Sequence, residues 1–384
     1  MTVAPKVFRD LASQPEAVNE LLRELSKSAE VHHAWLFTGP PGSGRSELAF
    51  AFAAALVCEN NGCGECNNCQ MVRVGNHPDV QVLNTERVQI SIGEVTEFID
   101  RSLQMPALAK YRVMVIEDAD RMSERTSNLL LKSLEEPPRG TIWMLCAPSE
   151  ADLLPTIRSR VRRIMLKVPS VESVAQLLID KYEVEKNLAH QSAAQAQSHV
   201  GMARRLATNA AARQRRSQTL EAVLGIVDLP SAMKASEILL KLAEHDGEQL
   251  TKELDEQERE ELLARLGVSE DSKLTPSARS QIKKLEEAQK RRGTRSKRDG
   301  LDRIFVDLMG LYRDVLAVQL GTNQALINPD LEPAIRSLAG DISQAQAIHS
   351  IEKIQQVRNR MDRNVRDSLL LDALAVSLRR KRRR

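Results

Sequence analysis

The sequence predicts a parallel α/β domain over residues 1–170, followed by all-helical segments. Three observations carry that prediction. Strand-like and helix-like stretches alternate up to about residue 170, which implies a parallel sheet covered by helices on both faces. From Ser170 onward the strand-like stretches stop. A glycine-rich loop of the phosphate-binding type also stands where the first strand passes into the first long helix.

The elements follow in order. Ala34-Trp35-Leu36-Phe37-Thr38 is a short apolar run ending at glycine, and Ser46 to Val57 reads as an alanine-rich helix. Val80 to Leu83 alternates as a strand does, and Ser91 with Glu94 makes a capping box for a helix near 92–103. Arg112 to Ile116 is a buried strand. Ser123 caps a helix that runs to Glu136 and must stop at Pro137-Pro138. Ile142 to Ala147 and Arg163 to Val168 complete the strands. Residues 171–213 read as short helices, with Val174, Leu177 and Leu178 at helical spacing, and 217–242 and 301–378 as longer amphipathic helices. Between them, about 246–300, the chain is acidic first (Glu253 to Glu261) and basic later (Lys283 to Arg298). That pattern predicts a solvated helical hairpin or a partly disordered insertion.

A chain of 384 residues implies two or three domains, and 42% hydrophobic content suffices for real cores. There is no long apolar run and no charged-then-apolar start, so neither a membrane span nor a signal peptide is expected. The net charge is +3, but Arg379 to Arg384 carry six positive charges; without them 49 basic residues face 52 acidic ones. The folded body is therefore no general polycation. Aromatics at 3% argue against a base-stacking platform. The tail reads equally as a solubilising end or as a weak phosphate contact.

Gly39-Pro40-Pro41-Gly42-Ser43-Gly44-Arg45-Ser46 matches a phosphate-binding loop except at one place. In such loops the glycines turn backbone N–H groups toward a phosphate, a lysine reaches the β/γ-phosphates and the hydroxyl binds Mg²⁺. Here Arg45 replaces the lysine with a larger planar cation. The strand 113–116 is followed by Glu117-Asp118, the reverse of the Asp-Glu order that holds Mg²⁺ and activates water. A misplacement of about an ångström costs ~100-fold in rate. The favoured expectation is a loop kept as architecture, with nucleotide binding without turnover left open.

Cys58, Cys63, Cys66 and Cys69 fall within twelve residues, the donor set of a closed tetrahedral structural Zn²⁺ site. Clustered thiols in a chain with one further cysteine, Cys146, predict metal binding in a reducing cytoplasm rather than disulfides. Thr156-Ile157-Arg158-Ser159-Arg160-Val161 reads as a basic rim, either solvated or offering an arginine to a neighbour.

Taken together, these residues resemble the bacterial clamp-loader subunits of the AAA+ class. The likeness rests on His33 to Pro40, the four cysteines, His77-Pro78-Asp79, Glu117 to Met122, Asn128 to Pro138 and Ser159-Arg160, spread in order over about 8–165. It implies an α/β P-loop AAA+ domain (1–170) with an inserted zinc module (58–69), a helical lid (171–214) and an all-α collar (215–384). It further implies a degenerate nucleotide site at Gly39, Gly42, Gly44, Arg45, Ser46, Glu117 and Asp118, with Arg204 as the lid's sensor arginine and ATP/Mg²⁺ uncertain in this chain. Arg160 would act as a trans arginine finger. The implied role is the stator of a hetero-pentamer with gamma/tau motor subunits and a delta subunit, loading a sliding clamp on primed DNA within a DNA-directed DNA polymerase holoenzyme. The chain itself would carry no polymerase site, and its place would be the cytoplasmic, nucleoid-associated replisome. The rivals are an active motor ATPase and a zinc-containing nucleic-acid-binding module.

Overall fold

The computed structural model describes residues 5–11, 13–26, 31–85, 87, 89–266, 275–361 and 365–380. The chain forms two compact units, residues 1–208 and 209–384.

The first unit is built on a five-stranded parallel sheet. β1 (Ala34–Thr38), β2 (Val80–Leu83), β3 (Arg112–Ile116), β4 (Thr141–Ala147) and β5 (Arg162–Met165) lie in the order β2-β3-β4-β1-β5. β1, β3 and β4 are buried along their whole length, as interior strands of a sheet covered on both faces must be. The fifth strand begins one residue earlier than the sequence suggested and stops at Met165. One face packs on α1 (Pro15–Leu25) and α2 (Arg45–Val57); α2 is an alanine-rich helix buried almost all round, which lets it lie close to the sheet. The short α3 (Asn67–Arg73) follows it. The other face packs on α4 (Ile92–Ser102), α5 (Glu124–Glu135) and the one-turn α6 (Pro155–Arg158).

The expected caps form. Ser91 accepts from the Glu94 N–H while Glu94 accepts from the Ser91 N–H, and Ser123 accepts from the Thr126 N–H. Three further helices, α7 (Val171–Tyr182), α8 (Lys186–Gln195) and α9 (Val200–Thr208), complete this unit.

The second unit is all helical: α10 (Ala210–Leu224), α11 (Leu229–Leu266), α12 (Pro276–Leu320), α13 (Glu332–Asp341), α14 (Gln344–Arg360) and α15 (Asp367–Ser377). The boundary at 214 expected from the sequence falls inside α10, which Asn209 caps. The stretch 301–378 is broken where Gly321 adopts a left-handed conformation (φ 63°) and where Pro329 and Pro333 start new turns. The charged segment is a helical hairpin, the continuous extension of α11 and α12. A buried polar network pins the loop after α12: Asp314 accepts from the Ile327 and Asn328 N–H groups, and Arg216 donates to Asn328. Of the basic tail, Arg380 is held by Asp341 and the Leu224 carbonyl, while 381–384 lie outside the described residues.

Candidate functional site

The glycine-rich loop leaves the C-terminal end of β1 and enters α2 at Arg45, with Gly42 and Gly44 in left-handed conformations (φ 80° and 92°). Its backbone is tied on several sides. The Gly39 N–H donates to the Pro148 carbonyl beyond β4, and buried Gln14 donates to the Ser43 and Lys167 carbonyls. Arg45 turns back on the loop and donates to the Gly39 carbonyl at 2.9 Å. Its guanidinium is therefore bonded to the loop itself.

Gly42 meets an unexpected neighbour. A Cβ built on it would lie 2.2 Å from the His199 ring, and the Val200 N–H donates to the Gly42 carbonyl at 3.3 Å. His199 is presented by Gln197 and Ser198, two consecutive non-glycine residues at φ 48° and 64°. Strained backbone of this kind, costing about 1–3 kcal/mol per residue, persists only where its surroundings hold it. The sequence offered no signal for His199 or Gln14: a lone histidine between helices and a glutamine before one have no motif.

The acidic pair stands beyond β3. Asp118 has a left-handed backbone (φ 49°) and pairs with Arg121 at 3.4 Å. Asp120 is pushed above the ordinary carboxyl range by burial and then by Asp118, against the pull of Arg45 and Arg121. Burial, with Glu117 adding, also raises the Cys146 thiol, so that residue is inert core. The fold thus gathers Arg45, Glu117, Asp118 and Asp120 at one edge of the sheet. Arg204 is exposed on α9, its guanidinium 5.8 Å from the centre of the Tyr182 ring.

Arg160 occupies the opposite edge. It precedes β5, whose Arg162 lies beside Trp35 near the start of β1, whereas the phosphate loop follows Thr38. Three strand residues, roughly 10 Å, separate the two levels before the loop even begins. Arg160 donates through Nε to Glu135 at 2.7 Å, and through one terminal nitrogen to the Thr156 carbonyl at 2.7 Å and the Ser159 hydroxyl at 3.1 Å. Glu135 ends α5 and is itself half exposed. The guanidinium is thereby aimed but not covered.

His77-Pro78-Asp79 is architecture. The fully buried Asp79 accepts N–H bonds from Ala107, Leu108 and Ala109 at 2.6–2.8 Å. Burial pushes its carboxyl up, but those three donors hold it below the ordinary range.

The four cysteines converge. Cys58 ends α2, Cys66 caps α3, and the four sulfurs lie within 4.8 Å of one another. Cys58 Sγ stands 3.7 Å from the sulfurs of both Cys63 and Cys66. Four thiolates at about 2.3 Å around one tetrahedral ion would stand about 3.8 Å apart, so the set fits a metal ion with Cys58 included. The N–H groups of Glu65 and Cys66 lower the Cys63 thiol to about 6, whereas burial pushes the Cys69 thiol up. Gly62 and Gly64 take the left-handed conformations that the knuckles require (φ 96° and 76°).

Comparison with known proteins agrees with this architecture. A family described as "DNA polymerase III, delta subunit" matches residues 13–170, and "DNA polymerase III, delta subunit, C terminal" matches 296–379. The DNA polymerase III subunit delta' of Pseudomonas aeruginosa is 36% identical over 42% of this chain and 52% of its own length. The tau/gamma subunit of Haemophilus influenzae is 30% identical over 48% of this chain and 26% of its own. The delta' subunit of Bacillus subtilis is 23% identical over 98% of this chain and 99% of its own. The chain thus spans about half the length of the first of these relatives and a quarter of the second. The parallel α/β unit and the helical unit after it thus each carry a match to the DNA polymerase III delta-subunit class. Within that class the chain is delta-prime-like.

Proposed function

We propose that this chain is the stator of a clamp loader: an AAA+ subunit that supplies an arginine in trans and turns over no nucleotide itself. The observation that carries the reading is the placement of Arg160. It sits at the opposite end of the strands from the chain's own phosphate loop, which supports a role toward a neighbour's nucleotide rather than its own. A trans arginine stabilises charge on a transferring phosphoryl and is worth ~10³–10⁵ in rate. Arg45 on the Gly39 carbonyl, His199 on Gly42 and the reversed acids together support a site without turnover.

In this reading residues 171–208 act as the lid and the second unit as the collar. The partners are gamma/tau motor subunits and a delta subunit, acting on a sliding clamp and primed DNA in the cytoplasmic replisome. Among the described residues no helix is long and apolar enough to cross a membrane. The metal is zinc, held by Cys58, Cys63, Cys66 and Cys69, and its work is to stabilise the module. One zinc per chain by elemental analysis, lost in Cys66→Ser, is the expected result.

The test of the main reading is ATP hydrolysis by a ring reconstituted with motor and delta subunits on primed DNA. The isolated chain should be inert. Arg160→Ala should leave the ring assembled and lower its turnover. The rival is a working motor subunit, favoured by the similarity to tau/gamma. Turnover by the isolated chain, with Arg160→Ala harmless in the ring, would establish that rival.

A further inference from the structure

The charged hairpin is more than the core of the second unit requires. That core reaches Ala243 on α11 and Leu301 on α12 and includes nothing between them. Beyond it the two helices continue antiparallel. Arg292 donates to Asp255 and Glu258, Gln289 to the Asp255 carbonyl, and Arg259 pairs with Glu286. From residue 247 to the end of α11 at Leu266 the arm extends about 30 Å.

Its root is tight. A Cβ on Gly247 would lie 3.0 Å from the Lys297 nitrogen, and one on Gly300 would lie 3.2 Å from the Ala243 carbonyl. Two glycines thus allow a close backbone approach that fixes the arm's direction.

The arm sorts its charges. Arg292 and Arg295 are engaged in ion pairs. In contrast Arg279, Lys283, Lys284, Lys290, Arg291 and Arg298 form no ion pair among the described residues. At about 100° per residue these six fall within one sector of roughly 140° on α12, spread over nearly 30 Å. Glu287 is the one carboxylate in that sector. The sector holds no aromatic and no large aliphatic side chain.

We propose that this face of α12 binds the phosphate backbone of duplex DNA without reading its sequence. A protein partner would call for an apolar centre, and the face has none. Single strands would call for aromatic platforms, and residues 246–300 contain no Phe, Trp or Tyr. A straight row of cations suits a regular line of phosphates, where binding follows counterion release. The site is separate from the phosphate loop and from Arg160, and its test uses the isolated full chain, so it stands or falls apart from the stator reading.

The experiment is anisotropy of a labelled duplex DNA of about 24 base pairs, titrated with the chain over a range of KCl. The comparison includes a variant with Lys283, Lys284, Lys290 and Arg291 all changed to Glu, the same four changed to Gln, and a chain ending at Arg380. Melting curves run alongside show whether each variant is folded. The wild type is expected to lose affinity steeply with salt. The Glu variant should bind at least about 10-fold more weakly, with a salt slope shallower by about 0.9 per lost phosphate contact. The Gln variant should fall between, and the shortened chain should bind as the wild type does. Unchanged binding by the folded Glu or Gln variants overturns the proposal. So does loss confined to the shortened chain, which would assign binding to the tail.

Discussion

The two edges of the sheet treat their arginines in opposite ways. At one edge Arg45 folds back onto the loop that bears it and bonds the Gly39 carbonyl, with His199 lying on Gly42. At the other edge Arg160 is held by Glu135 and the Thr156 carbonyl, with its side chain about a third exposed (32%). Arg45 opens the helix that follows β1, and Arg160 precedes β5, the strand paired with β1. The difference is what surrounds them: donors and rings that close one loop, and acceptors that only aim the other. Under the proposed function, a loop without turnover and an arginine offered to a neighbour would stand on the same sheet.

The comparison breaks most visibly at Arg160. In the reconstituted ring, Arg160→Lys keeps the charge but loses the planar fork that Glu135 and the loop carbonyl aim together. A drop of about 100-fold in ring turnover is expected, about 3 kcal/mol of barrier. If lysine serves as well as arginine, Arg160 contributes only bulk charge at the rim.

Gly42→Ala comes next. The new Cβ would meet the His199 ring, and the backbone sits at φ 80°, so a loss of about 1–3 kcal/mol is expected. Thermal melting of the isolated chain reads this directly. Adding His199→Ala should recover part of the loss, and a strictly additive double variant would mean the ring does not cover the loop.

How far this was legible in the sequence follows from whether each feature is local. Five strands, the Ser91 and Ser123 caps and the cysteine cluster all depend on residues close in the chain, and each stands near its expected place, the largest departure being the fifth strand, which stops at Met165 rather than Val168. The place of Cys58 in the set also depends on how α2 ends against the knuckle. His199, Gln14 and Glu135 were invisible because each acts across 25 to 157 residues of chain, through a fold that no single segment encodes. Asp79 was visible as a motif, yet its work is to hold the 107–109 backbone, which no spacing announces. The hairpin was one of two readings that the charge pattern left open, beside a partly disordered insertion. The sorting of its cations onto one face required knowing which side α11 covers.

A smaller effect is expected at Glu135. Its pair with Arg160 is half exposed, and such pairs contribute ~0.2–1 kcal/mol. Glu135→Gln should therefore change ring turnover by less than about fivefold. A loss as deep as that of Arg160→Lys would make Glu135 an essential part of the finger rather than its support.

The smallest effect separates the two edges most cleanly. Ser46 is the residue of the loop whose hydroxyl would hold Mg²⁺ in a working site. It lies one residue after Arg45, in a loop already bonded to itself. Ser46→Ala should leave ring turnover unchanged within error, while the equivalent change in a motor subunit should abolish that subunit's contribution. The measurement is the same hydrolysis assay, run with the variant in one subunit at a time. If Ser46→Ala in this chain slows the ring as much as the motor change does, the loop is not closed, and the two edges of the sheet both do chemistry.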